Sequence, residues 1–190
     1  ARRGINEKVS QEILGLVRGC EERAMALGED IRGGQPTPGN IEGGLTSIEE
    51  KSLGCIHKSG TAPFQGVLQY ADIPAEKGLF IMDTPGQDIE SITGMVAGGA
   101  QVVIFTTGRG TPTGNPLAPV IKLTGNFHTF KNMEDNIDFD VSEIVSGHKT
   151  IKEMGEKLFE EIVEVCNGKI TKAEALKHRE FCIYKIAPTF

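Results

Sequence analysis

These 190 residues contain no pair of cysteines in C-x-x-C spacing. The four that are present, Cys20, Cys55, Cys166 and Cys182, are too few and too scattered to staple a secreted scaffold, so free thiols in a reducing cytoplasm are expected. No apolar run approaches the roughly 20 residues that cross a bilayer, and no signal-peptide pattern is found, so no membrane partner is expected. No basic run stands out in a chain of net charge −6 and pI near 5.3. That argues against nucleic acid, whose phosphates must be neutralised by lysine and arginine. A small anionic substrate stays open, since a local site can be positive on an acidic protein. The turn DTPG at Asp83–Gly86 looks like a magnesium turn of GTPases, but without any G-x-x-x-x-G-K-[ST] loop that reading fails. The glycines of GMVAGGA end a helix and do not open one after a strand, so they are no dinucleotide fingerprint. No internal repeat is evident. The chain opens on ARRGINEK without methionine, already in a helical pattern, and reads as a piece of a longer protein.

What is present is a globular composition, with 38% hydrophobic and 24% charged residues, enough for a real core and, by length, one domain. Ile5, Val9, Ile13, Leu16, Cys20, Ala24 and Leu27 form one helical stripe, with Gly28 as its stop. PFQGVLQYA after Ala62 reads as a short helix with Pro63 at its first position. Leu79–Met82 reads as a strand, and Asp88 as the cap of a helix through Ala97 with Ile89, Ile92, Met95 and Val96 inward. Gln101–Thr107 is the strongest strand, and Val120–Leu123 reads as another. A helix follows from Asn126 through Asn136, then a strand near Ile137–Val141. Thr150 caps the clearest helix, with Ile151, Met154, Leu158, Ile162 and Val165 inward and Gly168 as its stop. A short helix is expected near Thr171 and a last strand over Phe181–Ile186. The alternation gives an α/β fold, helices packed on a small, largely parallel β-sheet, as a single domain over 1–190. In such sheets ligands sit outside the carboxyl ends of the strands, here Asp83–Thr84, Thr106–Gly110 and Thr124–Asn126.

One stretch, PTPGNIEGGLTSIEEKSLGCIHKSG from Pro36 to Gly60, gathers most of the unusual chemistry. Its prolines hold the chain extended, and Gly39, Gly43 and Gly44 allow turns and close backbone approach to a ligand. Thr46 and Glu49 stand in capping-box register, so a helix is expected from Ser47 to a stop at Gly54, with Cys55, His57 and Lys58 just beyond it. A glycine turn feeding a helix start is a plausible anion site, and equally a well-capped surface turn. Beyond the strongest strand, Arg109 lies between Gly108 and Gly110. Its guanidinium can clamp a carboxylate with two parallel hydrogen bonds, or pair with an acidic neighbour across the loop. Thr107, Thr111 and Asn115 can bond substrate hydroxyls or only shape turns. Lys51 and Lys58 are candidate bases, Lys51 being equally a solvated helix residue beside Glu49 and Glu50.

PTPGNIEGGLTSIEEKSLGC, FTTGRGTP at Phe105–Pro112, and the tail NGK…HREF at Asn167–Phe181 resemble, in the same order, the altronate/galactarate dehydratase family of sugar-acid dehydratases. The resemblance runs from about residue 30 to the end. It implies a hydro-lyase that removes water from an aldonic or aldaric acid, D-altronate first, to give a 2-keto-3-deoxy acid. It also implies a divalent metal, Fe²⁺ or Mn²⁺, a homo-oligomer, a cytoplasmic location, and an amino-terminal part that carries further Cys- and His-bearing loops. A sulfolactate sulfo-lyase activity within the same family, or a non-catalytic metabolite-binding or oligomerisation module, is the alternative. The residues expected to serve are Lys58, His57 and Lys51 in catalysis, and Asn40, Gly43, Gly44, Thr46, Thr107, Arg109, Thr111 and Asn115 on the substrate. Cys55, Glu42 and Asp83 are the metal ligands of choice among a wider set with His57, Asp88 and His128. None of these forms a recognised metal spacing.

Overall fold

The computed structural model describes residues 1–31, 34–42 and 45–184, with the Cys55 side chain excepted. It divides into two compact units, Ala1–Leu68 with Pro74–Asp83, and Gln69–Ile73 with Thr84–Phe190. The α/β expectation is met by two small sheets, of two and three strands, in which every pairing is parallel.

In the first unit α1 spans Glu7–Ala26, and the Asn6 side chain accepts from the Val9 N–H to satisfy one orphan donor of the first turn. Its stop falls where the sequence puts it, at Gly28 in the left-handed region with φ +83°. A five-residue α2, Pro38–Glu42, precedes α3, Ile48–Lys58. The cap of α3 is Ser47, whose side chain accepts from Glu50 N–H. Thr46 instead donates its N–H and Oγ1 to Glu50 Oε2, at 2.8 and 2.6 Å, so the box predicted on Thr46 and Glu49 is displaced by one residue. Gly54 does not end the helix. It sits inside it with open space where a Cβ would be, which an exposed helix tolerates at about 1 kcal/mol relative to alanine. His57 and Lys58 therefore occupy the last turn.

The segment predicted as a helix after Pro63 is a strand, β1, Phe64–Leu68. The reason lies far away in sequence. Phe64 N–H donates to Arg3 O and Ile5 N–H to Phe64 O, at 2.7 and 2.9 Å, while the other edge pairs with β2, Leu79–Met82. Arg3 reinforces the joint: its guanidinium lies 4.5 Å from the centre of the Phe64 ring and donates to Ser59 Oγ, Ser59 O and Ala62 O. Two long-range partners for one backbone outweigh a local helical preference.

In the second unit α4 is Asp88–Ala97, with Gln87 at the cap and Asp88 inside the first turn. Then follow β3 (Val103–Thr106), β4 (Val120–Thr124), α5 (Phe127–Asn132), β5 (Phe139–Asp140), α6 (Ser142–Val145), α7 (Ile151–Cys166) and α8 (Lys172–Ala175). The strand order is β3-β4-β5, so β4 is central and all five of its residues are buried. Ile92, Val103, Val120 and Ala173 form the core, with Met95, Val96 and Phe105 against it. α5 ends at Asn132, short of the predicted Asn136, because Met133 turns the chain and Glu134–Asp135 would place negative charge at a helix carboxyl end. α7 has the predicted cap at Thr150, here completed to a capping box by Glu153, and buries Met154 and Val165. Ile151, predicted inward, is 77% exposed. Residues 181–184 are not a strand, and 185–186 lie outside the described residues. Among the described residues no helix is long and apolar enough to cross a membrane.

Candidate functional site

Parallel strands end together, and the three-stranded sheet brings three loops to its carboxyl edge: Thr107–Gly110 after β3, Gly125–Phe127 after β4, and Val141–Ser142 after β5. Thr107 Oγ1 accepts from Gly110 N–H at 2.9 Å, closing a tight turn. Gly110 has φ +86°, a conformation that strains any residue with a Cβ, and a Cβ there would also press on the movable Met133 side chain. The peptide of Gly108 is tied down by Asn126 Nδ2 and Thr129 Oγ1, which donate to its oxygen at 3.3 and 2.8 Å. Asn126 is itself fixed as the cap of α5, its Oδ1 accepting from the N–H groups of His128 and Thr129. Arg109 is thus held between two constrained glycines. Its side chain is exposed and has no hydrogen-bond or ion-pair partner among the described residues.

Beside this loop a pocket of about 650 Å³ is lined by Gly125–Phe127, Asp140, Ser142, Glu143, Val145, Ser146 and His148. Asn126 joins the two features, since it bonds Gly108 and lines the pocket; Arg109 itself does not line it. Asp140 accepts from Ser142 N–H and Oγ, at 2.8 and 3.1 Å. His148 Nδ1 is 2.9 Å from Ser146 Oγ. Sequence reasoning passed over Asp140, Ser142 and His148. The available signal was an aspartate at the carboxyl end of a predicted strand.

Thr111 and Asn115, expected at the substrate, are buried with their oxygens engaged inside the loop. Thr111 Oγ1 meets Thr113 Oγ1 at 2.8 Å, and Asn115 Oδ1 accepts from the N–H groups of Leu117 and Ala118. On the same sheet Lys122 is wholly buried on β4, and its Nζ has no hydrogen-bond partner among the described residues. Burial holds its pKa below the ordinary lysine value, with Asp138 and Glu180 pulling the other way. It too escaped the sequence reading, although a lone lysine inside an apolar strand was visible there.

The first unit gathers two of the expected residues. Lys51 Nζ donates to Asn40 Oδ1 at 2.8 Å and to Gln35 Oε1, and the same Asn40 oxygen accepts from Thr37 N–H and Oγ1. Thr46 is engaged with Glu50, whose carboxylate those two bonds hold below its usual pKa. His57 and Lys58 are exposed, as is Glu42, and Asp83 donates its N–H to Leu68 O at the end of β2. Gly43, Gly44 and the Cys55 side chain lie outside the described residues. Among the described residues no three His, Cys, Asp or Glu side chains come together to hold a metal ion.

Residues 1–189 match the family described as D-galactarate/Altronate dehydratase, C-terminal. The chain is 44% identical over 158 residues to the (2R)-sulfolactate sulfo-lyase subunit beta of Chromohalobacter salexigens, covering 83% of this chain and 41% of that protein. It is 38% identical over 167 residues to the galactarate dehydratase (L-threo-forming) of Escherichia coli, covering 88% and 32%. With the altronate dehydratase of Bacillus subtilis it shares 30% over 188 residues, covering 99% and 37%. The chain therefore spans between about a third and two-fifths of the length of these relatives.

Proposed function

The chain belongs to the D-galactarate/altronate dehydratase family, and from that membership we propose that the complete protein is a hydro-lyase that converts D-altronate to a 2-keto-3-deoxy acid. The observation that carries the site assignment is Arg109, a guanidinium without a partner among the described residues, on a glycine-constrained loop at the carboxyl edge of a parallel sheet. Its planar fork binds the substrate carboxylate and places the neighbouring carbon toward the rest of the site. A base removes the proton from the carbon next to the carboxylate, the bond to the hydroxyl on the following carbon breaks, and the resulting enol becomes the ketone. Negative charge grows on the carboxylate side during this step, where a fixed cation stabilises it most.

For the base we retain Lys58, exposed at the end of α3, with His57 next to it in sequence and Lys51 about two turns earlier on the same helix. In the second unit His148 is a further candidate, on the pocket wall with its Nδ1 next to Ser146 Oγ. Asn40, Thr46 and Thr107 are proposed as groups that order the substrate or the loops around it. A divalent metal, Fe²⁺ or Mn²⁺, is proposed for the complete protein on the resemblance alone. The described residues do not assemble its ligands, and the steps above do not pass through it.

The 44% identity to a sulfo-lyase subunit supports a second reading. Sulfolactate is also a 2-hydroxy acid with a leaving group on the next carbon, so the same proton removal expels sulfite where a sugar acid loses hydroxide. Incubating the complete protein with D-altronate, galactarate and (2R)-sulfolactate, and measuring 2-keto acid and sulfite, separates the two. Keto acid from altronate without sulfite release from sulfolactate is the expected result; sulfite release alone selects the second reading.

A further inference from the structure

The pocket beside the Arg109 loop is lined by two carboxylates, Asp140 and Glu143, and by neither lysine nor arginine. Asp140 is half-buried and held in place: its Oδ1 accepts from Ser142 N–H at 2.8 Å and its Oδ2 from Ser142 Oγ at 3.1 Å. Glu143 is exposed on α6. Its backbone oxygen accepts from the N–H groups of His148 and Lys149 at 2.9 and 3.2 Å, which fixes the wall on which its carboxylate stands. His148 turns its Nδ1 to Ser146 Oγ and makes no ion pair with either carboxylate. Much of the remaining wall is apolar, since Phe127 and Val145 also line the pocket and are 56% and 79% exposed.

Carboxylates and apolar wall act on the same property of a ligand. An anionic group placed there loses hydration against the apolar side chains and is repelled by two fixed negative charges. A hydroxyl escapes the repulsion and donates to a carboxylate oxygen instead. The positive charge lies on the neighbouring loop, at Arg109. Asn126, which lines the pocket, ties that loop to it by donating to Gly108 O at 3.3 Å.

We propose that Asp140 and Glu143 are specificity-determining residues that admit aldonates, whose far end is a neutral hydroxymethyl group, and reject aldarates, whose far end is a second carboxylate. The proposal rests on the reading that Arg109 holds the substrate carboxylate, which leaves the other carbons to run toward the pocket. The test compares D-altronate with altrarate, the diacid of the same configuration, in the complete protein, so that the two substrates differ only at the sixth carbon. The expected kcat/KM for 2-keto acid formation is about tenfold or more higher with altronate, because like charges brought together are costly. Glu143→Gln keeps the size and removes one charge, so the gap should narrow roughly threefold through a gain on altrarate, the scale of one exposed charge pair. Asp140→Asn keeps an acceptor for Ser142 and should narrow the gap in the same way. Equal turnover of both acids by the unaltered protein, or an unchanged ratio in Glu143→Gln while altronate is still dehydrated, overturns the proposal and leaves the dehydratase reading standing. Keto acid from neither substrate overturns both.

Discussion

Lys122→Met is expected to stabilise the protein, because the buried ammonium costs more than its neighbours return. Lys122 is fully buried and its Nζ meets no partner among the described residues. The two carboxylates that favour its charge do not depend on it: Asp138 accepts from the backbone N–H groups of Lys122 and Lys172 at 2.8 and 2.7 Å, and Glu180 from that of Gly114. Methionine keeps much of the stem's length and volume and removes the charge. Replacing a buried ion by an apolar residue of similar volume is neutral or stabilising by about 1–4 kcal/mol. At roughly 2–4 °C per kcal/mol for a chain of this size, the midpoint should rise by about 2 to 16 °C.

The effect should also depend on pH. Burial lowers the native pKa of Lys122 below the unfolded value of about 10.4. Between the two values the unfolded chain holds a proton that the native protein has shed, so wild-type stability rises with pH across that window. Below the native pKa both states are charged and the gap between variant and wild type is largest; it closes toward about pH 10.4. Thermal unfolding of both proteins at neutral and alkaline pH measures this. A variant destabilised by about 3 kcal/mol or more at neutral pH would refute the reasoning, since that loss signals a broken, compensated pair.

Other outcomes are expected. Gly114→Ala should cost about 1–3 kcal/mol in urea unfolding, because the new Cβ meets the His178 backbone oxygen and not a movable side chain. The carboxylates of Glu50 and Glu153 are held below their usual pKa by hydrogen bonds from Thr46 and Thr150. They contribute stability above the unfolded carboxylate value of about 4.3 that is lost as pH falls through the native values. Separately, Thr150 is the cap of α7, and Thr150→Ala should cost about 1 kcal/mol at neutral pH through the lost cap and flatten the acid limb of the helicity curve. Chelation should abolish turnover by the complete protein, with recovery on adding Fe²⁺ or Mn²⁺; full activity after chelation would remove the metal. The 190-residue chain alone should not turn over altronate, and keto-acid formation by it would show otherwise.

The elements that the sequence discloses are those whose cause is local. α7 was legible because its inward residues recur at helical spacing behind a threonine cap, and β4 because an apolar run between turn residues has few alternatives. β1 was not, since Pro63 suits a helix start and the residues that make it a strand, Arg3–Ile5 and Leu79–Met82, are remote. Gly54 looked like a stop, but a single glycine costs too little to end a helix capped by Ser47. Of the site, Arg109 could be found by its place after the strongest strand. The pocket beside it could not, because α6 has four residues and reaches the edge through the short β4–β5 pairing.

The central claim is that Arg109 clamps the substrate carboxylate, and Arg109→Lys tests it most directly in the complete protein. Lysine keeps the charge and loses the planar two-pronged geometry. A hydrogen bond to a charged group is worth about 1.5–3 kcal/mol, so kcat/KM should fall roughly ten- to a hundredfold. The thermal midpoint of the same preparation should hardly move, because an exposed loop substitution costs about half a kcal/mol. A near wild-type kcat/KM, or a loss of activity that follows a lowered midpoint, would contradict the assignment.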